Sequence, residues 1–184
     1  RGTSAQLAGK AESTVGTAPS GDWAKLPIIS IDLTAKRPLV PDPVLSLGYG
    51  RNPPPGFYDK LEISGTAVVP LDTGNFDFWM PRLFGAVSTT GTYTDTYTAG
   101  TAPVSCALEK GFTDVADYWV YTGIFGDSLG INFSPLGNVQ MSIGLIGLGS
   151  AAMSGSTSAG TVTTATYAPV RQIGSTFSVA GSAL

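Results

Sequence analysis

The stretch SLGINFSPLGNVQMSIGLIG, residues 128–147, decides the fold class. Leu129, Ile131 and Phe133 alternate with Gly130, Asn132 and Ser134; Val139, Met141, Ile143 and Leu145 then alternate with Gln140, Ser142, Gly144 and Ile146. A period of two sends successive side chains to opposite faces of a strand. Between the runs stands Pro135-Leu136-Gly137-Asn138, a cluster of turn residues, so the stretch reads as one antiparallel hairpin. One face is apolar and belongs to a core. The other is small, polar and uncharged.

The same period recurs on either side. Leu61, Ile63, Ala67 and Val69 alternate with Glu62, Ser64 and Thr66 until Pro70 ends the run. Val104, Cys106 and Leu108 alternate with Ser105, Ala107 and Glu109; Thr92 to Thr98 alternates tyrosine with threonine or aspartate; Tyr118 to Thr122 is aromatic and β-branched; Thr176 to Val179 reads as a last short strand. The exception is Phe76, Trp79, Met80, Leu83 and Phe84, whose spacing predicts a helix near 73–84 with an apolar stripe that serves the core rather than a ligand shelf. Asp72 or Thr73 caps its start and Gly85 its end. Pro81 conflicts with the helix interior at about 3 kcal/mol, which predicts a kink or a start near Asp77. The chain is therefore mainly β, with one α-helix and long extended loops.

Three regions follow: 1–60, an extended N-terminal arm and proline-rich excursion integrated with the domain; 61–149, the β core; and 150–184, a Gly/Ser/Thr-rich linker and final strand. Pro19, Pro27, Pro38, Pro41, Pro43, Pro53, Pro54 and Pro55 all precede Gly56. Proline lacks the ladder N–H, so Lys36 to Phe57 reads as an excursion whose obvious use is contact with a neighbour. Ser150 to Thr164 is low in complexity and reads as a flexible linker or loop.

Composition narrows the function. Charged residues make up 12% of the 184, against about 25% in an ordinary domain. From Val120 to Leu184 the charged residues are Asp127 and Arg171 alone. So neutral a stretch is either deeply buried or meets other protein chains, and its small residues, poor core material, favour the second. The net charge of −3 argues against a protein that grips nucleic acid, and leaves room for one that nucleic acid slides past. There is no histidine, which excludes a Ser-His-Asp triad and histidine metal sites, and the single Cys106 excludes an internal disulfide. No basic segment followed by an apolar one opens the sequence, so no secretion signal is expected. Asn138 to Met153 is glycine-broken and too short to cross a bilayer, so no membrane partner is expected either.

Chemical constellations are sparse. Asp114 and Asp117 beside Tyr118, and Glu109 beside Lys110, read as polar loop residues without a nucleophile. Asp42, Asp72, Asp77 and Asp95 stand singly; Gly48-Tyr49-Gly50 and Gly147-Leu148-Gly149 lack the context of a phosphate loop; Arg51 and Lys60 make a weak cationic pair; Cys106 sits on an apolar face. No catalytic, cofactor-binding or metal-ligating residue is assigned and no cofactor is expected: the chain reads as an assembly unit, not an enzyme.

Several stretches resemble tail tube proteins of long-tailed bacteriophages. They are Gly2 to Ser13; Ile63 to Phe84, where G-x-x-V-V-P-x-D (Gly65 to Asp72) runs into F-x-F-W (Phe76 to Trp79); Leu108-Glu109-Lys110-Gly111-Phe112 followed by Tyr121-Thr122-Gly123; and Ser128 to Gly147 with Phe133-Ser134-Pro135-x-Gly137. The resemblance implies a tube-forming fold of two packed antiparallel β-sheets, sandwich- or barrel-like, flanked by that one α-helix. It implies hexameric or pseudo-hexameric rings of identical copies, stacked axially into a hollow virion tail assembled in the bacterial cytoplasm. Tape-measure protein and DNA would occupy the lumen without tight binding, and other tail proteins would join the ends.

On that reading Asn132, Ser134, Gln140 and Ser142 are the lumen candidates, and Arg1–Trp23 and Lys36–Tyr58 reach adjacent copies or the next ring. Pro81 departs from the family's helix, and relatives often continue well past Leu184. The competing readings are a terminator or baseplate ring of the same fold, or a β-sandwich module recognising carbohydrate or a receptor through Tyr93, Tyr97, Tyr118, Trp119 and Tyr121. A hydrolase is disfavoured by the missing nucleophile–base pair.

Overall fold

A computed structural model describes residues 4–42, 54–89, 95–98, 102–133, 137–149, 151–164, 166–171, 178–179 and 182–183. In chain order the elements are β1 (Ala5–Ala11), β2 (Ala24–Lys25), β3 (Ser30–Lys36), β4 (Leu39–Val40), β5 (Phe57–Tyr58), β6 (Glu62–Pro70), α1 (Thr73–Phe84), β7 (Ser88–Thr89), β8 (Asp95–Thr96), β9 (Cys106–Phe112), β10 (Asp117–Asn132), β11 (Gln140–Gly147), β12 (Ala151–Ser154), β13 (Thr163–Thr164), β14 (Ser178–Val179) and β15 (Ser182–Ala183).

Nine strands form one sheet in the order β13-β2-β1-β9-β10-β11-β6-β3, with β12 beside β10. Every pairing in it is antiparallel except β13 with β2. β10 is the hinge of the arrangement. Ile124 pairs with Cys106 of β9 and with Gly147 of β11, so these strands lie on opposite sides of it. The first half of β10 continues into β9, β1 and β2; the second half continues into β11, β6 and β3. The two wings face each other across a core to which both contribute: Leu7, Leu108, Tyr121 and Ile124 from one, Leu33, Ile63, Val69, Met141, Ile143 and Leu145 from the other, with Trp79 and Met80 of α1. The Tyr121 hydroxyl donates to the Leu33 carbonyl at 3.3 Å across this interior. The two expected layers are thus wings of a single hydrogen-bonded sheet.

The hairpin has the register its pattern implies, with Leu129 opposite Ile143 and Ile131 opposite Met141. Its turn residues Ser134, Pro135 and Leu136 lie outside the described residues. What reads as two strands, Tyr118–Thr122 and Leu129–Phe133, is one strand with register shifts between Tyr121 and Ile124 and between Gly126 and Ser128. Gly123, at the first shift, has φ +64, which only glycine adopts without strain.

The helix begins at Thr73 rather than Asp77. Its cap is Asp72, whose side chain accepts from the Asn75 N–H at 2.7 Å. The Asn75 side chain then ties that end to the carbonyls of Pro27 and Pro70. This anchoring holds the first turns in place although Pro81 deprives the helix of one hydrogen bond.

Two expectations are corrected. The N-terminal arm is not extended throughout its length: its segment Ala5–Ala11 lies between β9 and β2 of its own copy, with Leu7 and Ala8 fully buried. Nor is 150–164 a loose linker. Ala151–Ser154 pairs with Tyr118–Tyr121, and Ala159 is buried against Trp23, Ala8, Ala107 and Val120 on the outer side of the β1–β9–β10 wing. Glu109 explains this docking. Alternation puts it on that outer side, where it accepts from Thr157 Oγ1 at 2.7 Å and from the Ser158 N–H at 2.6 Å. Small residues let the backbone approach the sheet closely, so low complexity here marks tight contact.

Candidate assembly surfaces

Among the described residues, two open sheet edges belong to the wing formed by the second half of β10, β11, β6 and β3. Beyond Ile124, β10 is paired with β11 alone; at the far side of the same wing, β3 is paired with β6 alone. An open edge presents unpaired N–H and C=O groups. The wing has four strands, each antiparallel to the next, so β10 and β3 run in opposite directions. Bringing the β3 edge of one copy beside the β10 edge of another continues the alternation without a break.

The apolar rows of this wing are unfinished at the β10 edge. Ile131, Met141 and Val69 share a row on the core side. Met141 and Val69 are fully buried, whereas Ile131 is 42% exposed and Phe133 is exposed beyond it.

The wing's outer face carries the rows Asn132-Gln140-Pro70, Gly130-Ser142-Val68-Ser30, Ser128-Gly144-Thr66-Asp32 and Phe125-Ile146-Ser64-Thr34. Asp32 is the one charged residue in these four rows; the next row on this face, Glu62-Lys36, carries one charge of each sign. The lumen candidates Asn132, Gln140 and Ser142 stand together on this face; Ser134 lies outside the described residues.

The chain matches the family model described as "Phage tail tube protein" over residues 2–184. It belongs to the phage tail tube protein family. As a structural tail tube protein it is also similar in fold to the SPP1 tail tube, solved by solid-state NMR and cryo-EM: 13% identity, 86% of this chain and 81% of that one covered, TM-score 0.50. The tail of an empty GTA particle, refined with C6 symmetry, matches at 12% identity over 84% of this chain and 98% of its own, TM-score 0.47. Hcp1 from Salmonella typhimurium matches at 8% identity over 82% and 92%, TM-score 0.37. No curated protein sequence matches.

Other candidate features of the tail tube protein resolve into structure. Tyr121 turns into the core, Tyr118 and Trp119 point to opposite sheet faces and Tyr97 packs edge-on against Phe76, so these four form no shared aromatic platform among the described residues; Tyr93 lies outside them. Asp77 is held above the usual carboxylate range by partial burial and by the neighbouring charges of Asp95 and Asp72. Among the described residues, no group of three or more His, Cys, Asp or Glu is placed to hold a metal, and no helix is long and apolar enough to cross a membrane. Glu109 and Glu12 are buried acids that pattern reading missed, the first because beside Lys110 it read as a polar loop residue. Pattern reading gives no hint of the partners that hold them.

Proposed function

We propose that copies of this tail tube protein join edge to edge, the β3 strand of one beside the second half of β10 in the next, and so close a ring of six or pseudo-six. Closure removes every open edge of the four-stranded wings, as in any barrel. The observation that carries the reading is the opposite polarity of the two open edges in a wing with an even number of strands. Rings stack axially into the tail tube, and the excursion around β4 and β5 serves contacts between copies.

The outer face of the wing lines the lumen. DNA affinity grows with the number of phosphate–cation contacts, so rows of small polar and apolar residues whose charges are Asp32 and the Lys36–Glu62 pair let DNA and tape-measure protein pass without being held. The role is structural and non-enzymatic; assembly takes place in the host cytoplasm, and other tail proteins cap the ends. Electron microscopy of the purified protein tests this. Hollow rods or rings that grow with concentration are expected, and a chain that stays monomeric at every concentration overturns the reading.

A further inference from the structure

Trp119 and Met153 form an unexplained apolar shelf. Asp117, Trp119 and Tyr121 project from one side of β10, the core side. The opposite wing covers Tyr121 but leaves Trp119 partly exposed, and Met153, directly across on β12, 63% exposed. On the same side, Asp117 keeps a buried carboxylate oxygen, Oδ1, with no hydrogen-bond partner among the described residues. A buried acceptor left unpaired is costly, so the shelf is chemically incomplete in one copy.

The β4–β5 ribbon is incomplete in the complementary way. Leu39 pairs with Tyr58 and Val40 with Phe57, and Leu39, Phe57 and Tyr58 are all exposed. Arg37 lies 5.9 Å over the Tyr58 ring and donates its Nε–H to the Asp59 carbonyl at 3.0 Å. The remaining guanidinium N–H groups suit a carboxylate.

Strand register brings the two together. Ala35, Ile63, Gly147 and Ile124 share one row. Counted along β3 and onward, Leu39 stands as far from Ala35 as Trp119 stands from Ile124 on β10, once the extra residue at the Gly123 bulge is discounted. With that row continued unbroken into the neighbour, joining β3 of one copy to β10 of the next carries the ribbon to the level of the neighbour's Trp119. The in-plane position there is taken by β9, through Lys110, and the other face by the segment around Ala159. The core-side shelf is what remains.

We propose that the β4–β5 ribbon of one copy lies across the Trp119–Met153 shelf of its ring neighbour, with Arg37 pairing to the neighbour's Asp117. The proposal rests on the ring reading above. Its test mixes Leu39→Cys chains with Met153→Cys chains during assembly; the native Cys106 is buried. Oxidation is expected to give disulfide-linked dimers from assembled mixtures and none from either variant alone. In parallel, Arg37→Glu and Asp117→Arg should each raise the critical concentration for assembly roughly tenfold, and the double variant should restore it, with the thermal midpoint of the unassembled chain unchanged. Rings without cross-links, cross-links confined to stacked rods and missing from single rings, or a double variant no better than the singles would overturn the proposal alone. Wild-type protein that never forms rings would remove the ring reading and this proposal together.

Discussion

Glu12 accepts the backbone N–H of Gly123 through Oε1 at 2.8 Å, binding the end of β1 to the bulge that divides β10. Its other oxygen accepts from the Gly16 N–H at 3.0 Å. The carboxylate thus satisfies a buried amide that the sheet ladder abandons where the register shifts. Glu12→Ala strands that amide and is expected to destabilise the monomer by about 2–4 kcal/mol. Gly123→Ala, forced to φ +64 with its Cβ within 2.7 Å of the Gly149 nitrogen, is expected to cost about 1–3 kcal/mol. Denaturant unfolding of the unassembled chain measures both. Unchanged midpoints would mean that the bulge is held by something else.

Glu109 works as a latch. It holds Thr157 and Ser158 against the sheet and so keeps Ala159 over Trp23 and Val120. Glu109→Ala should free this segment while leaving the main core intact. Limited proteolysis is expected to nick the chain between 155 and 162 at least several-fold faster than in wild type, with the far-ultraviolet circular dichroism unchanged. Equal cleavage rates would show that the Trp23 contacts suffice.

Cys106 offers a pH-dependent readout. Burial pushes its thiol up to about 12, although the Arg82 guanidinium beside it favours the thiolate and partly opposes the shift. An unfolded cysteine titrates near 8.5. The folded thiol therefore stays neutral where the unfolded one ionises. Its contribution to stability is complete below about pH 8.5 and declines as pH rises from there towards 12. Thiol-reagent labelling at pH 8 should proceed only at the rate of unfolding, and rapid labelling of the native chain would contradict the burial.

How far these features were legible follows from what each depends on. The hairpin register, the cap at Asp72 and the buried stripe of Trp79 and Met80 are set by residues close in sequence, and periodicity reveals them. The placement of Ala5–Ala11 against β9 and the docking of Ala159 onto Glu109 and Trp23 depend on partners about fifty residues away or more, which no local pattern encodes. Glu109 misled because its place beside Lys110 suggested a polar loop, and nothing local shows that Thr157 and Ser158 cover it. The assembly surfaces were half visible: the neutral face of Gln140 and Ser142 could be read directly, whereas the open edges of β3 and β10 exist only once the strand order is known.

The neutrality of that outer face is itself testable. Ser142 stands in the middle of β11 with its side chain exposed. Ser142→Lys would add one cation per copy, repeated around every ring and along the tube. Assembly should be unaffected, while DNA should be retained in a salt-dependent way. Short duplex DNA incubated with assembled tubes and sedimented at low and high salt measures this; no retention at low salt would argue that the face does not line the lumen.

Ile131 gives the sharpest separation of folding from assembly. In the isolated copy it is 42% exposed, so Ile131→Lys should change monomer stability by about 0.5 kcal/mol or less. In a closed ring the same position is enclosed between Met141 of its own copy and the β3 edge of the next, where an unpaired ammonium costs several kcal/mol. The critical concentration for rods should therefore rise by roughly a hundredfold or more, while Ile131→Val assembles nearly as wild type does. Analytical ultracentrifugation alongside thermal melts distinguishes the cases. A lysine variant that melts normally and still forms rods at wild-type concentrations would place this edge outside the subunit boundary and require a different strand to make the junction.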